Sequence, residues 1–238
     1  RSRSPVTQHR AGSVLALGGP DFAVGPGQFH GLLGGNGAGK TTLIEIAYGL
    51  IQPVRGTIFV DGVETRLRSP RVARRLNIGM VHQHFTSVNA FTVAENLALA
   101  ADWPTDRRVV ERRARTLMSE AGLTLDLGAT VEDLSAALKQ RLEILKALSA
   151  GADLLLLDEP ASVLAPTEAD ELLALVRAST QRGGSAVLIP HQLEDGLRRA
   201  DSITGLRLGV PVFSGRAAGT ASSLVARLRT GPSPSQRA

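Results

Sequence analysis

Residues 34–41 read Gly34-Gly35-Asn36-Gly37-Ala38-Gly39-Lys40-Thr41 and match the spacing G-x-x-x-x-G-K-[ST]. Glycines let backbone N–H groups turn toward a phosphate oxygen with no Cβ in the way. A helix opening near Gly39 aims its positive dipole end at the same anion. Lys40 brings a mobile charge to β- and γ-phosphates, the Thr41 hydroxyl is suited to Mg²⁺, and Thr42 completes the nucleotide-binding set. The pattern indicates a nucleoside triphosphate and leaves kinase, GTPase and ATPase chemistry open.

A second constellation closes the run Leu154-Leu155-Leu156-Leu157-Asp158-Glu159. Four consecutive leucines suit a central parallel strand buried on both faces. Carboxylates at its C-terminal end fall where open α/β sheets bind ligands. Asp158 is the Mg²⁺ partner, and Glu159, one residue further on, orients or deprotonates an attacking water. Alone, the pair reads equally as a turn after a strand; the phosphate loop decides for the functional reading.

These groups need strands and helices to hold them. Short β segments are expected at VLAL (14–17), FAV (22–24) and FHGLL (29–33), with a turn at Gly25-Pro26-Gly27. TLIEIAYGL has helical spacing and stops at Gly49 or Pro53, GTIFVDG reads as a strand entering a turn, and ELLALVRASTQRGG as an amphipathic helix before the strand SAVLI. Residues 88–149 read as mostly helical, with a stop at Gly122, and interrupt the strand–helix alternation. The expected class is α/β: a P-loop NTPase core of mostly parallel strands flanked by helices, with an antiparallel β subdomain and an inserted helical subdomain. The expected organisation is a flexible segment 1–11, a cassette 12–220 and a helical or disordered tail 221–238.

Composition narrows the classes. The 238 residues carry net charge +5, but three arginines in 1–10 and four in 216–238, with no acid in either segment, leave residues 11–215 at −2. The basicity belongs to the ends and not to a nucleic-acid-binding face. With no cysteine, disulfides, thiolate metal sites and a cysteine nucleophile are excluded. No apolar run approaches the roughly 18 residues needed to span a bilayer, and RSRSPVTQHR lacks a signal-peptide core. The Arg-rich stretches 66–75 and 107–115 read as solvated faces.

Several motifs agree in order. LLGGNGAGKTTL at 32–43, Gln83, LSAALKQR at 134–141, LLLLDEP at 154–160 and His191 resemble the ATPase subunit of ATP-binding cassette (ABC) transporters, over residues 12–216. The segments at 78–100 and 138–166 and the closing RLGVPVFSG look most like importers of sugars and nucleosides, a group whose ATPases often fuse two cassettes. The resemblance implies that Gln83 touches Mg²⁺ or water and links the site to the membrane subunit. It implies that His191 contacts the γ-phosphate, and that Leu134-Ser135-Ala136-Ala137-Leu138 is a signature offered to the ATP of a second cassette arranged head to tail. Implied partners are that cassette, permease subunits and, indirectly, a substrate-binding protein, with no nucleic acid. The implied location is peripheral, at the cytoplasmic face of the membrane. His82 and His84 are read as solvent or interface residues.

The chain departs from the pattern at the signature, where Ala137 replaces a glycine and its Cβ would crowd a phosphate. A lost backbone donor there is worth ~3 kcal/mol, or ~10² in rate. Ala11 stands where an aromatic normally stacks on adenine. Pro190 precedes His191 and threatens its aim, and Ala161 and Ala165 follow Glu159. The parts serving this chain's own nucleotide are intact and the part offered to a partner is degraded, so an asymmetric pair is expected. The alternative reading is a catalytically weakened nucleotide-binding cassette with a regulatory or structural role in an asymmetric dimer.

Overall fold

The computed structural model describes residues 16–17, 22–54, 56–191 and 198–217. Segments 1–11 and 221–238, with Ala11, lie outside the described residues.

The main sheet has six strands in the order β5 (Ile78–Val81), β6 (Leu154–Asp158), β7 (Ser185–Ile189), β2 (Phe29–Gly34), β8 (Ser202–Arg207), β9 (Val210–Arg216). The first five run parallel, and β9 folds back antiparallel on β8. A smaller antiparallel sheet joins β1 (Ala16–Leu17), β3 (Ile58–Val60) and β4 (Val63–Thr65).

β6 is buried at all five positions because its leucines serve two cores. Leu154 and Leu156 pack on one face with Leu32, Met80, Val187 and α1 (Lys40–Tyr48). Leu155 and Leu157 pack on the other with Phe29, Leu188 and α6 (Pro166–Gln181). Each such side chain contributes about 1.5–3 kcal/mol on burial, so this strand anchors the acids that follow it.

Between β5 and β6 the chain builds a helical unit of α3 (Val93–Ala100), α4 (Arg107–Ala121) and α5 (Ala136–Ser149). It has its own core of Val93, Leu97, Ala114, Met118, Leu142 and Leu145. Polar residues set its boundaries: Thr92 and Glu95 form a capping box, Asp106 caps α4, and Gly122 closes α4 in the left-handed conformation with φ 68°.

Several elements differ from expectation. Phe22–Val24 forms no extended strand; Phe22, in a single β-bridge, and Val24 are buried residues of the first core. A short helix α2 (Pro70–Arg75) occupies part of the first Arg-rich stretch, started by Pro70 in its first turn. β5, β8 and β9 are strands that the alternation did not reveal.

Candidate active site at the carboxyl edge of the sheet

Because β5, β6, β7 and β2 are parallel neighbours, the loops leaving their C-termini open on one edge, where open α/β sheets bind ligands. Gly34 ends β2 and Asp158 ends β6; His191 lies two residues past β7 and Gln83 two past β5.

The loop between β2 and α1 is a tight cradle. Ala38 N–H donates to Gly35 O at 3.1 Å, and Lys40 Nζ donates to Gly34 O at 2.9 Å and Gly35 O at 3.1 Å, so the ammonium folds back over the loop. A Cβ at Gly34 would lie 2.5 Å from Leu206 O and 2.9 Å from Ala38 Cβ, so no larger residue fits. Gly39 has φ 93° and starts α1 without any side-chain cap, which leaves the helix's first N–H groups open to an anion. Gly209 N–H, in the β8–β9 turn, donates to Ala38 O at 2.9 Å and braces the loop from behind. Asn36, Gly37, Thr41 and Thr42 are exposed to incoming ligand.

Asp158 faces this cradle. Its residue is 5% exposed, and Thr41 Oγ1 donates to its Oδ1 at 3.3 Å. Burial pushes the Asp158 carboxyl above its ordinary value, the Thr41 hydrogen bond pulls it down, and the charges of Glu159 and Glu45 add to the upward push. A desolvated carboxylate beside a hydroxyl fits a hard divalent cation such as Mg²⁺. Among the described residues no group of three His, Asp or Glu side chains is arranged to hold a metal alone.

Glu159 adopts φ 45°, a left-handed backbone that costs a non-glycine residue about 1–3 kcal/mol. Its N–H donates to Ile189 O at 3.0 Å, which ties it to β7. His191 Nδ1 stands 3.5 Å from Glu159 Oε2, a long contact joining the two expected catalytic groups. Pro190 therefore does not aim His191 away from the acid.

The structure thus brings together the phosphate loop, Asp158, Glu159 and His191. Gln83 is exposed on the loop after β5. His82 is half-buried with its ring edge-on to Tyr48 at 6.2 Å; burial lowers its pKa, partly offset by Glu143, Asp158 and Glu45. His84 is exposed.

The signature residues lie on the helical unit. Leu134 and Leu138 pack against its core, and Ser135 caps α5 by accepting from Leu138 N–H at 3.3 Å. Ala136 and Ala137 occupy the first two helical positions, whose N–H groups have no intrahelical partner.

One group of polar residues escaped sequence reasoning. Glu143, 4% exposed, accepts from Thr86 N–H at 2.9 Å, Thr86 Oγ1 at 2.7 Å, Ser87 N–H at 2.9 Å and Ser87 Oγ at 2.7 Å. Burial alone would raise the Glu143 carboxyl, but the Lys146 ammonium and these hydrogen bonds outweigh it and hold the group below its ordinary range. The available signal was a lone acid within the apolar run Leu142-Glu143-Ile144-Leu145.

Comparisons with known proteins identify the family. The profile of the ABC transporter family matches residues 17–162. The nucleoside import ATP-binding protein NupA of Lactococcus lactis is 40% identical over 204 residues, covering 84% of this chain and 40% of that protein. A ribose import ATP-binding protein RbsA 1 of Rubrobacter xylanophilus is 42% identical over 200 residues, covering 82% of this chain and 40% of that protein. The chain therefore spans about two fifths of the length of the curated relatives it matches. An ATP-binding cassette of an ABC transporter solved in its ADP conformation superposes with TM-score 0.80 at 21% identity, covering 93% of this chain and 100% of that one. The ATP-binding subunit of another ABC transporter gives TM-score 0.74 at 27% identity, covering 91% and 99%. With a family match over more than half its length, the chain belongs to the ABC transporter family.

Proposed function

We propose that this chain is an ATP-hydrolysing cassette of an importer for a sugar or a nucleoside, peripheral to the membrane at its cytoplasmic face. The observation that carries the reading is the convergence of Lys40, Thr41, Asp158, Glu159 and His191 on one sheet edge. The names of the relatives, nucleoside and ribose import ATP-binding proteins, supply the substrate class and favour a transport-driving cassette over a purely regulatory one. Among the described residues no helix is long and apolar enough to cross a membrane; we assign passage of the cargo to permease subunits.

In this reading the backbone N–H groups at 35–41 and Lys40 bind the phosphates of ATP. Thr41 and Asp158 would hold Mg²⁺, which when bound neutralises charge on the β- and γ-phosphates, with Gln83 approaching from the loop after β5. Glu159 takes a proton from water as its oxygen attacks the γ-phosphorus; the bond from that phosphorus to the bridging oxygen breaks, and ADP and phosphate leave. His191 holds Glu159 and the γ-phosphate in register. A cleft of about 400 Å³ between the core and the helical unit, lined by residues including Tyr48, Arg74, His82, Leu99 and Lys146, suits a segment of the permease.

We assign Leu134–Leu138 to the ATP of a second cassette and expect the pair to be asymmetric. Ser135 already caps its own helix, and the Ala137 methyl stands where a phosphate would approach. Turnover should be low for the isolated chain and rise when a cassette with a glycine-containing signature is added. Equal, vigorous turnover by the isolated chain would refute the asymmetry.

A further inference from the structure

We propose that Glu143 and Lys146 are positioning residues that couple the helical unit to Gln83; this rests on reading Gln83 as a nucleotide-site residue. The two side chains lie one turn apart on α5 and pair at 3.0 Å, 14% exposed at Lys146 and 4% at Glu143. Their other partners are on the loop that carries Gln83. Both backbone N–H groups and both hydroxyls of Thr86 and Ser87 donate to the Glu143 carboxylate. Lys146 Nζ donates back to Thr86 Oγ1 at 2.9 Å and Ser87 Oγ at 3.1 Å. Each hydroxyl thus gives one hydrogen bond and accepts one.

The next residue is gripped by the same unit. Asn96, 2% exposed on α3, accepts from Val88 N–H at 2.8 Å and donates to Val88 O at 3.1 Å. Upstream, Val81 belongs to the core sheet, in register with Leu157 of β6. On the connection leaving β5, the crossing from core to helical unit is therefore confined to residues 82–85, and Gln83 is inside it. α5 also packs on the sheet through Ile144 and Ala147, so a shift of α5 against the sheet carries Thr86 and Ser87 with it and, on this connection, is taken up in those four residues. A buried ion pair is a poor choice for stability alone, since an apolar pair would pack as well. An apolar pair could not grip two backbone N–H groups and two hydroxyls, which is what a tether of fixed length requires.

The test uses the cassette assembled with its partner cassette and permease. Glu143→Gln, Gln83→Ala and the double variant are compared for Mg·ATP affinity by calorimetry, for kcat and KM, and for amide exchange. In Glu143→Gln, exchange at Thr86 and Ser87 should accelerate at least tenfold with β6 and β7 unchanged. Its kcat should fall about tenfold with KM within twofold. In the Gln83→Ala background the same substitution should change kcat less than twofold. An equal loss of kcat in both backgrounds, or an unchanged kcat despite freed amides, overturns the proposal. Should Glu143→Gln fail to fold, the Thr86→Val, Ser87→Ala chain keeps the ion pair and removes the hydroxyls, and unchanged kcat there overturns it equally. Absence of Mg·ATP binding by the unaltered complex would instead overturn the functional reading beneath it.

Discussion

Two helix N-termini in this molecule are shaped in opposite ways. At α1 the first residue follows Gly39 in the left-handed conformation, no side chain caps the helix, and the loop before it closes on Lys40. At α5 the cap is Ser135, which occupies the Leu138 N–H, and alanines fill the next two positions. A side-chain cap is worth about 1 kcal/mol. α1 forgoes that stability and keeps its N–H groups free for an anion, whereas α5 takes it and narrows its own approach. The same helix-end electrostatics thus stand open to an anion in one place and serve the fold in the other.

The largest effect expected from breaking this contrast is on the open side. Glu159→Gln removes the proposed proton acceptor while leaving Lys40, Thr41 and Asp158 in place. Steady-state turnover should fall by about 10²–10⁴-fold, with Mg·ATP affinity retained; a phosphate-release assay and calorimetry check both. Opening the closed side should have a smaller, opposite effect. Ala137→Gly removes the methyl at α5, and turnover at the site it completes should rise by up to ~10², read as phosphate release by the assembled pair. No rise would mean the Cβ is accommodated and the two ends are equivalent.

Gly34→Ala tests the tightness of the cradle itself. Its Cβ would meet Leu206 O and Ala38 Cβ, so thermal denaturation should report a loss of about 1–3 kcal/mol together with weakened nucleotide binding. The smallest effect lies behind the site. His30 on β2 is buried between Ser202 Oγ at 2.8 Å and Thr204 Oγ1 at 2.9 Å, and burial lowers its pKa to about 4. The unfolded chain, with histidine near 6.5, binds this proton where the folded chain does not. Stability is therefore full above about pH 6.5 and declines as the pH falls toward 4, by roughly 2 kcal/mol between pH 7 and 5. Urea unfolding at the two pH values should show this component, and it should vanish in His30→Asn.

Much of this arrangement is legible in the residues. The phosphate loop announces itself because its glycines are demanded by space and dihedral angle, and β6 because four leucines in a row have no use on a half-exposed strand. A place for His191 beside the γ-phosphate was expected only through the family resemblance, and its contact with Glu159 is visible only in the fold. β8 and β9 were hidden for a physical reason: Gly205 interrupts the apolar pattern of β8, and β9 is half-exposed along the edge of the sheet. Phe22 and Val24 looked like strand residues because burial selects them, and the structure extends them no further than a single bridge at Phe22. The Glu143–Lys146 grip on Thr86 and Ser87 spans 56 to 60 positions in sequence, so only the fold brings it together.

The central claim is that the cradle around Lys40, with Thr41 and Asp158, holds the phosphates of a magnesium-bound nucleoside triphosphate. Calorimetric titration of the folded chain with Mg·ATP tests it directly. Saturable binding at one site, abolished by Lys40→Ala and weakened when Mg²⁺ is chelated, is the expected result. A featureless titration with intact protein, or binding indifferent to Lys40→Ala, would contradict it.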